Sequence, residues 1–160
     1  MNDGFTHLNS RGEARIVDVG DKATTRRRAV AEGWLTMTAE TLTRLMSGDV
    51  PKGDALAVAR VAGIMGAKRT SELVPLCHPI PLTHVEVTLE ADRSRGAVHC
   101  RVTTETTDRT GVEMEALTGV QTALLALYDM CKALDRAMTV TDVRLVSKTG
   151  GKSGDWHREG

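Results

Sequence analysis

THVEVTLEADRSRGAVHCRVTTET, residues 83–106, alternates in both of its halves. Val85, Val87 and Leu89 fall on one side of an extended chain and Glu86, Thr88 and Glu90 on the other, which is the period of two that a half-buried strand requires. After ADRSRG the pattern resumes, with Val98, Cys100 and Val102 on the apolar side and His99, Arg101 and Thr103 opposite. The stretch predicts an antiparallel hairpin. An apolar sheet face needs a cover, and the chain supplies one directly downstream. Over residues 112–137, Leu117, Val120, Leu124, Leu127, Tyr128, Cys131 and Leu134 trace a single stripe of a long helix.

Working outward, RRRAVAEGWLTM sets Ala29, Ala31 and Gly33 against Val30, Glu32 and Trp34 and reads weakly as a strand. Thr38 is placed to cap a helix over AETLTRLM, which Ser47 and Gly48 stop ahead of Pro51. Asp54 is placed to cap ALAVARVAGIMGAKRTSEL, where Ala55, Ala59, Ala62, Gly63 and Gly66 recur every three or four residues. That small stripe lets another backbone approach, either within the chain or from a second copy. A last strand, MTVTDVRLVSK, leads into a glycine-rich tail. The order of strand, helix, helix, hairpin, long helix and strand predicts an α+β sandwich, with an antiparallel sheet and helices packed on one face.

The 160 residues suit one domain over residues 1–160, with about 1–10 and 156–160 expected to be flexible. Lysine plus arginine number 21 and aspartate plus glutamate also 21, so no global field draws the protein to nucleic acid or to a membrane surface. Aromatic residues make up 2%, which leaves bases little to stack on. A helix-turn-helix DNA binder is disfavoured by the same charge balance. The polar N-terminus lacks the apolar core of a signal peptide, and no run reaches membrane-spanning length. With Cys77, Cys100 and Cys131 odd in number and widely spaced, a cytoplasmic protein without disulfides or structural zinc is expected.

Gly150, Gly151, Lys152 and Ser153 look like the end of a Walker-type phosphate loop. The pattern fails, because Val146 stands where its first glycine belongs and only seven residues follow Ser153. Lys148 and Lys152 nonetheless call for an anion. Arg26, Arg27, Arg28, Lys52, Lys68 and Arg69 add cations near element ends, where side chains from different elements can converge on a polyanion. Singly, each is also an ordinary surface charge.

Two further groups carry chemistry. In LVPLCHPIP, Pro75, Pro79 and Pro81 stiffen a loop that presents Cys77 and His78, either as part of a binding site or as a buried hydrophobe and a satisfied loop residue. Neighbours on an extended chain point to opposite sides, so the two do not form a catalytic pair. On the long helix, Asp129 and Lys132 are spaced i,i+3 on one flank, as an acid and base set or as a plain surface ion pair. Glu115 lies fourteen residues before Asp129 on that helix, about 21 Å along its axis. One small ligand cannot span both ends; two copies about a two-fold axis can bring them together.

The runs LCHP, GVEMEALTGV, LYDMCKALD and VRLVSKTGGKSGD, together with THLNSRGEARIVDVGDKATTRRRAVAEG and PKGDALAVARVAGIMGAKRTSELVPLCHPIPLTHVEV, resemble the MoaC family of molybdenum cofactor biosynthesis from about Thr6 to Asp155. The resemblance implies a ferredoxin-like sandwich and a cytoplasmic homohexamer, a trimer of dimers with active sites between subunits. It implies a lyase, cyclic pyranopterin monophosphate synthase, that acts on 3',8-cyclo-7,8-dihydro-GTP and releases diphosphate. Asp129 and Lys132, assisted by Lys52, take the catalytic roles. Leu76, Cys77, His78, Met114 and Glu115 match the substrate-binding runs, and Arg27, Lys68, Lys148 and Lys152 the phosphate contacts. No cofactor is expected to be required, although a divalent cation such as Mg2+ can accompany the triphosphate. An ordinary lysine titrates near ~10.4, so Lys132 acts as a base only where burial or nearby cations lower it. The competing class is a nucleotide-binding module that uses the same cations without turnover.

Overall fold

The computed structural model describes residues 6–160, so the first part of the lead expected to be flexible lies outside the described residues. In chain order the elements are β1 (Thr25–Thr36), α1 (Ala39–Met46), α2 (Ala55–Lys68), α3 (Thr70–Leu73), β2 (His84–Asp92), β3 (Ala97–Asp108), α4 (Glu113–Cys131), β4 (Thr139–Thr149) and β5 (Trp156–His157). The strands form one sheet in the order β2-β3-β1-β4-β5, antiparallel at every pairing, and its architecture is consistent with a ferredoxin-like α+β sandwich. The quoted hairpin is β2 and β3, closed by a turn tighter than ADRSRG, with Gly96 at φ 60°.

The helices cover one face of the sheet. Ala31 and Leu35 of β1, Val87 and Leu89 of β2, and Val98, Cys100 and Val102 of β3 are buried with Ala116, Val120, Ala123, Leu124 and Leu127 of α4. Gly33 makes the approach feasible, because a Cβ there would stand 2.9 Å from both Val120 and Val143. On the opposite face Trp34 stacks on His99 with ring centroids 4.7 Å apart, and the Arg95 guanidinium lies 4.1 Å from the Trp34 ring centre. Glu32 accepts from Arg144 and pairs with His99, each at 3.0 Å. Burial alone would raise the Glu32 pKa, but the hydrogen bonds from Arg144 and His99 outweigh it and hold the carboxyl below its usual range.

The helix starts follow their caps. Thr38 accepts from the Thr41 amide at 3.2 Å, and Asp54 accepts from the Ala57 amide at 3.0 Å. Two helix ends differ from the sequence pattern. The long helix stops at Cys131 instead of running to Ala137, because Asp135 turns its carboxylate onto the backbone N–H groups of Thr38 and Ala137, both at 3.0 Å. The second helix breaks at Lys68, and Thr70 restarts it as α3 while donating its hydroxyl back to the Ala67 carbonyl at 3.0 Å.

The small stripe of α2 faces α4 within the chain. Gly63 stands where a Cβ would lie 3.0 Å from the Ala123 Cβ, and at Gly66 it would lie 2.6 Å from the Thr122 Cβ. Rising residue numbers on α2 meet falling numbers on α4, so the two helices run antiparallel. The Gly66→Val variant is expected to lose about 1–3 kcal/mol by overpacking this contact, read as a lower urea midpoint at unchanged slope.

Candidate active site

The C-terminal end of α4 gathers three charges. Asp129 accepts from Lys52 through Oδ2 at 2.9 Å and pairs with Lys132 through Oδ1 at 2.9 Å, so one carboxylate holds two ammonium groups. Lys132 reaches back by i,i+3 at the end of the helix. Lys52 arrives from the turn before α2, where Gly53 takes φ 102° and Asp54 then caps the helix. The antiparallel pairing of α2 and α4 is what brings this turn to the end of α4. The hydrogen bond from Lys52, followed by that from Lys132, keeps the Asp129 carboxyl below its usual range. All three side chains are about half exposed, so their pairing does little for stability. What it fixes is position: the carboxylate holds two proton-bearing amines together at an open edge.

The other end of α4 borders a trough. Leu76, Cys77, His78, Met114 and Glu115 line one cleft of about 320 Å³, within the usual size range of small-molecule sites. Two hydrogen bonds hold the proline-rich loop beside it: the Cys77 amide reaches the Val74 carbonyl at 3.1 Å, and Thr106 donates to the Pro81 carbonyl at 2.7 Å. His78 and Glu115 also border a neighbouring cleft walled by Lys68. A third opening, about 650 Å³, is lined by Arg27, Gly151, Lys152 and Ser153, and it shares Lys22 with the first.

The glycine tail explains the third opening. Gly150 and Gly151 sit at φ 86° and 87°, and a Cβ on Gly151 would collide with the Arg27 guanidinium. The tail therefore wraps around Arg27 and turns Lys152 toward the same space. Lys148 hydrogen-bonds Ser153 and lies 3.9 Å from the Glu113 carboxylate at the start of α4. No Walker helix follows. Cations from β1, β4, the tail and the lead border one side of the trough.

Glu115 stands out electrostatically. It is 4% exposed, and burial, with a further push from the Glu113 charge, raises its pKa to about 7. Burial, followed by the charge of Glu115, also raises the Cys77 thiol. The thiol is thus a poor nucleophile, in keeping with a lining role.

The structure therefore brings the sequence candidates together in two groups and keeps the groups apart. Arg27, Lys68, Leu76, Cys77, His78, Met114, Glu115 and Lys152 line the joined clefts, with Lys148 beside them. Lys52, Asp129 and Lys132 form the other group and line none of these three clefts. Sequence reasoning missed Lys22, which borders two clefts, and the wall formed by His7, Val17 and Val19. Their segment has neither helix nor strand periodicity, so no local pattern marked it.

Comparison with known proteins adds to this geometry. The sequence profile described as the MoaC family matches residues 16–151. A protein of Pelotomaculum thermopropionicum named cyclic pyranopterin monophosphate synthase is 56% identical over 157 residues, covering 98% of this chain and 92% of its own length. A protein of the same name from Chloroflexus aurantiacus is 56% identical over 154 residues, covering 96% of this chain and 94% of its own.

Proposed function

The chain belongs to the MoaC family, and from that premise we propose that it is a cyclic pyranopterin monophosphate synthase, a lyase of molybdenum cofactor biosynthesis. Its substrate is 3',8-cyclo-7,8-dihydro-GTP, and its products are cyclic pyranopterin monophosphate and diphosphate. The observation that carries this reading is the pairing of a two-lysine carboxylate with a separate cation-rich trough.

The reaction needs both. Opening and reclosing the purine-derived rings moves protons between nitrogen, carbon and oxygen, which Asp129 and Lys132 relay, with Lys52 fixing the carboxylate. Closing the cyclic phosphate forms a bond from a sugar hydroxyl oxygen to the α-phosphorus and breaks the bond to the β-phosphate oxygen. Arg27, Lys68, Lys148 and Lys152 offset the charge of the departing diphosphate. Leu76, Cys77, His78, Met114 and Glu115 hold the heterocycle. In this reading no cofactor is required, and a divalent cation such as Mg2+ can accompany the triphosphate.

Because the two groups lie at opposite ends of α4, the working unit is an assembly, in this reading a cytoplasmic homohexamer built as a trimer of dimers. Lys132 is 49% exposed in the single chain, so closing the site around it falls to the substrate and a second subunit. No described helix is long and apolar enough to cross a membrane.

Incubating the purified protein with the cyclised dihydro-GTP should release one diphosphate per substrate consumed. A protein that binds the compound and releases none would be a nucleotide-binding module instead.

A further inference from the structure

The end of α4 lacks the usual local stop. The run CKALDRAM holds no glycine to close the last turn in a left-handed conformation, and Lys132 sits at φ −60° and ψ −23°, still helical. The last carbonyl groups of a helix have no partners along it, so an end of this kind frays. Here the residue at risk is Lys132. Its ion pair with Asp129 cannot hold the backbone in place, because both side chains are about half exposed.

The segment 132–138 is instead pinned twice. From the helix, the Tyr128 hydroxyl donates to the Arg136 carbonyl at 2.9 Å. From the start of α1, the Thr38 amide donates to Asp135 Oδ2 at 3.0 Å, while Asp135 Oδ1 accepts from the Ala137 amide at 3.0 Å. Inside the segment, the Cys131 carbonyl accepts from the Leu134 amide at 2.9 Å and from the Asp135 amide at 3.3 Å. Thr38 in turn caps α1, which leads into the turn that carries Lys52, and there Arg44 donates to Asp49 at 2.9 Å. Asp135 therefore joins the two elements that deliver Lys132 and Lys52 to one carboxylate.

We infer that Asp135 and Tyr128 are positioning residues, which fix the backbone from which Lys132 reaches Asp129. The inference rests on the catalytic role proposed above for Lys132. Both side chains spend their polar atoms on backbone groups, so what they supply is placement. A misplacement of about 1 Å can slow a proton transfer by roughly 10²-fold, and such a loss falls on the chemical step.

Two conservative variants test this. Tyr128→Phe removes one hydroxyl and keeps the packed ring; Asp135→Asn keeps the shape but leaves one acceptor oxygen for two amides. With the cyclised dihydro-GTP, each is expected to lose roughly 10–100-fold in kcat, with KM within about twofold of the parent and helical circular dichroism unchanged. The same changes placed in Lys132→Ala should lower kcat no further, because the amine they position is gone. A merely structural role predicts a lower urea midpoint with parental kcat, or a further loss on top of Lys132→Ala, and either result overturns the inference. Tyr128→Phe decides alone should Asp135→Asn fail to fold. Diphosphate release by the parent is measured alongside. An inactive parent removes the proposed function and the inference with it, whereas an active parent with equally active variants removes the positioning alone.

Discussion

Replacing Lys132 with alanine is expected to lower kcat by roughly 10²–10⁴-fold, the usual contribution of a positioned acid or base, while KM changes little. The expectation follows from where Lys132 sits. Its ammonium is 2.9 Å from Asp129 at the open end of α4, outside the trough of its own subunit, and in the proposed assembly it meets the substrate as a proton carrier while the trough residues do the holding, so its loss should spare binding. Lys132→Arg sharpens the test, because arginine keeps the positive charge and the reach but does not give up a proton near neutral pH. If proton transfer is the role, the arginine variant stays as slow as alanine. A Lys132→Arg enzyme with near-parental kcat would reduce the role to electrostatics, and a fully active alanine variant would remove it.

The second large effect concerns Glu115 and is read in stability. Its pKa is raised from the usual 4.5 to about 7, so between these values the folded protein holds a proton that the unfolded chain has released. Stability is then fully present below about pH 4.5 and is lost as pH rises through about 7, by at most about 3 kcal/mol. Glu115→Gln keeps the shape and hydrogen-bonding capacity but cannot ionise. It should be the more stable protein at pH 8, by up to about 3 kcal/mol, and should level with the parent near pH 4.5. Parallel urea titrations of the two proteins from pH 5 to 8 check this. A constant difference across that range would mean that the buried carboxyl does not titrate there.

Much of the fold is legible in the alternation and helical periodicity of the chain. The β2–β3 hairpin is the clearest case, since one of its faces is buried and the other wet. β1 reads only weakly, because as a central strand it packs small residues such as Ala29, Ala31 and Gly33 under α4 while Trp34 is covered on the other face, which blurs the contrast. The end of α4 could not be read at all. Leu134 continues the apolar spacing, and the helix stops because Asp135 reaches the Thr38 amide, a contact between residues 97 positions apart. The stripe on α2 stays ambiguous as sequence, and its contacts with Ala123 and Thr122 assign it to packing inside the subunit.

The site divides in the same way. Asp129 and Lys132 are one helical turn apart, so their meeting follows from spacing alone, and their distance from Glu115 follows from the rise of a helix. Lys52 joins them through the antiparallel packing of α2 on α4, and Lys22 joins the trough through a lead with no regular structure. Neither position can be derived locally.

The central claim is that each working site takes its acid and base from one subunit and its trough from another. It is tested by mixing two inactive proteins, Lys132→Ala and His78→Ala, unfolding them together and refolding them. Half of the randomly formed pairs are mixed, and each mixed pair carries one intact site of two, so about one quarter of parental diphosphate release should return. A mixture that stays as inactive as its components, although both variants assemble, would mean that each subunit works alone.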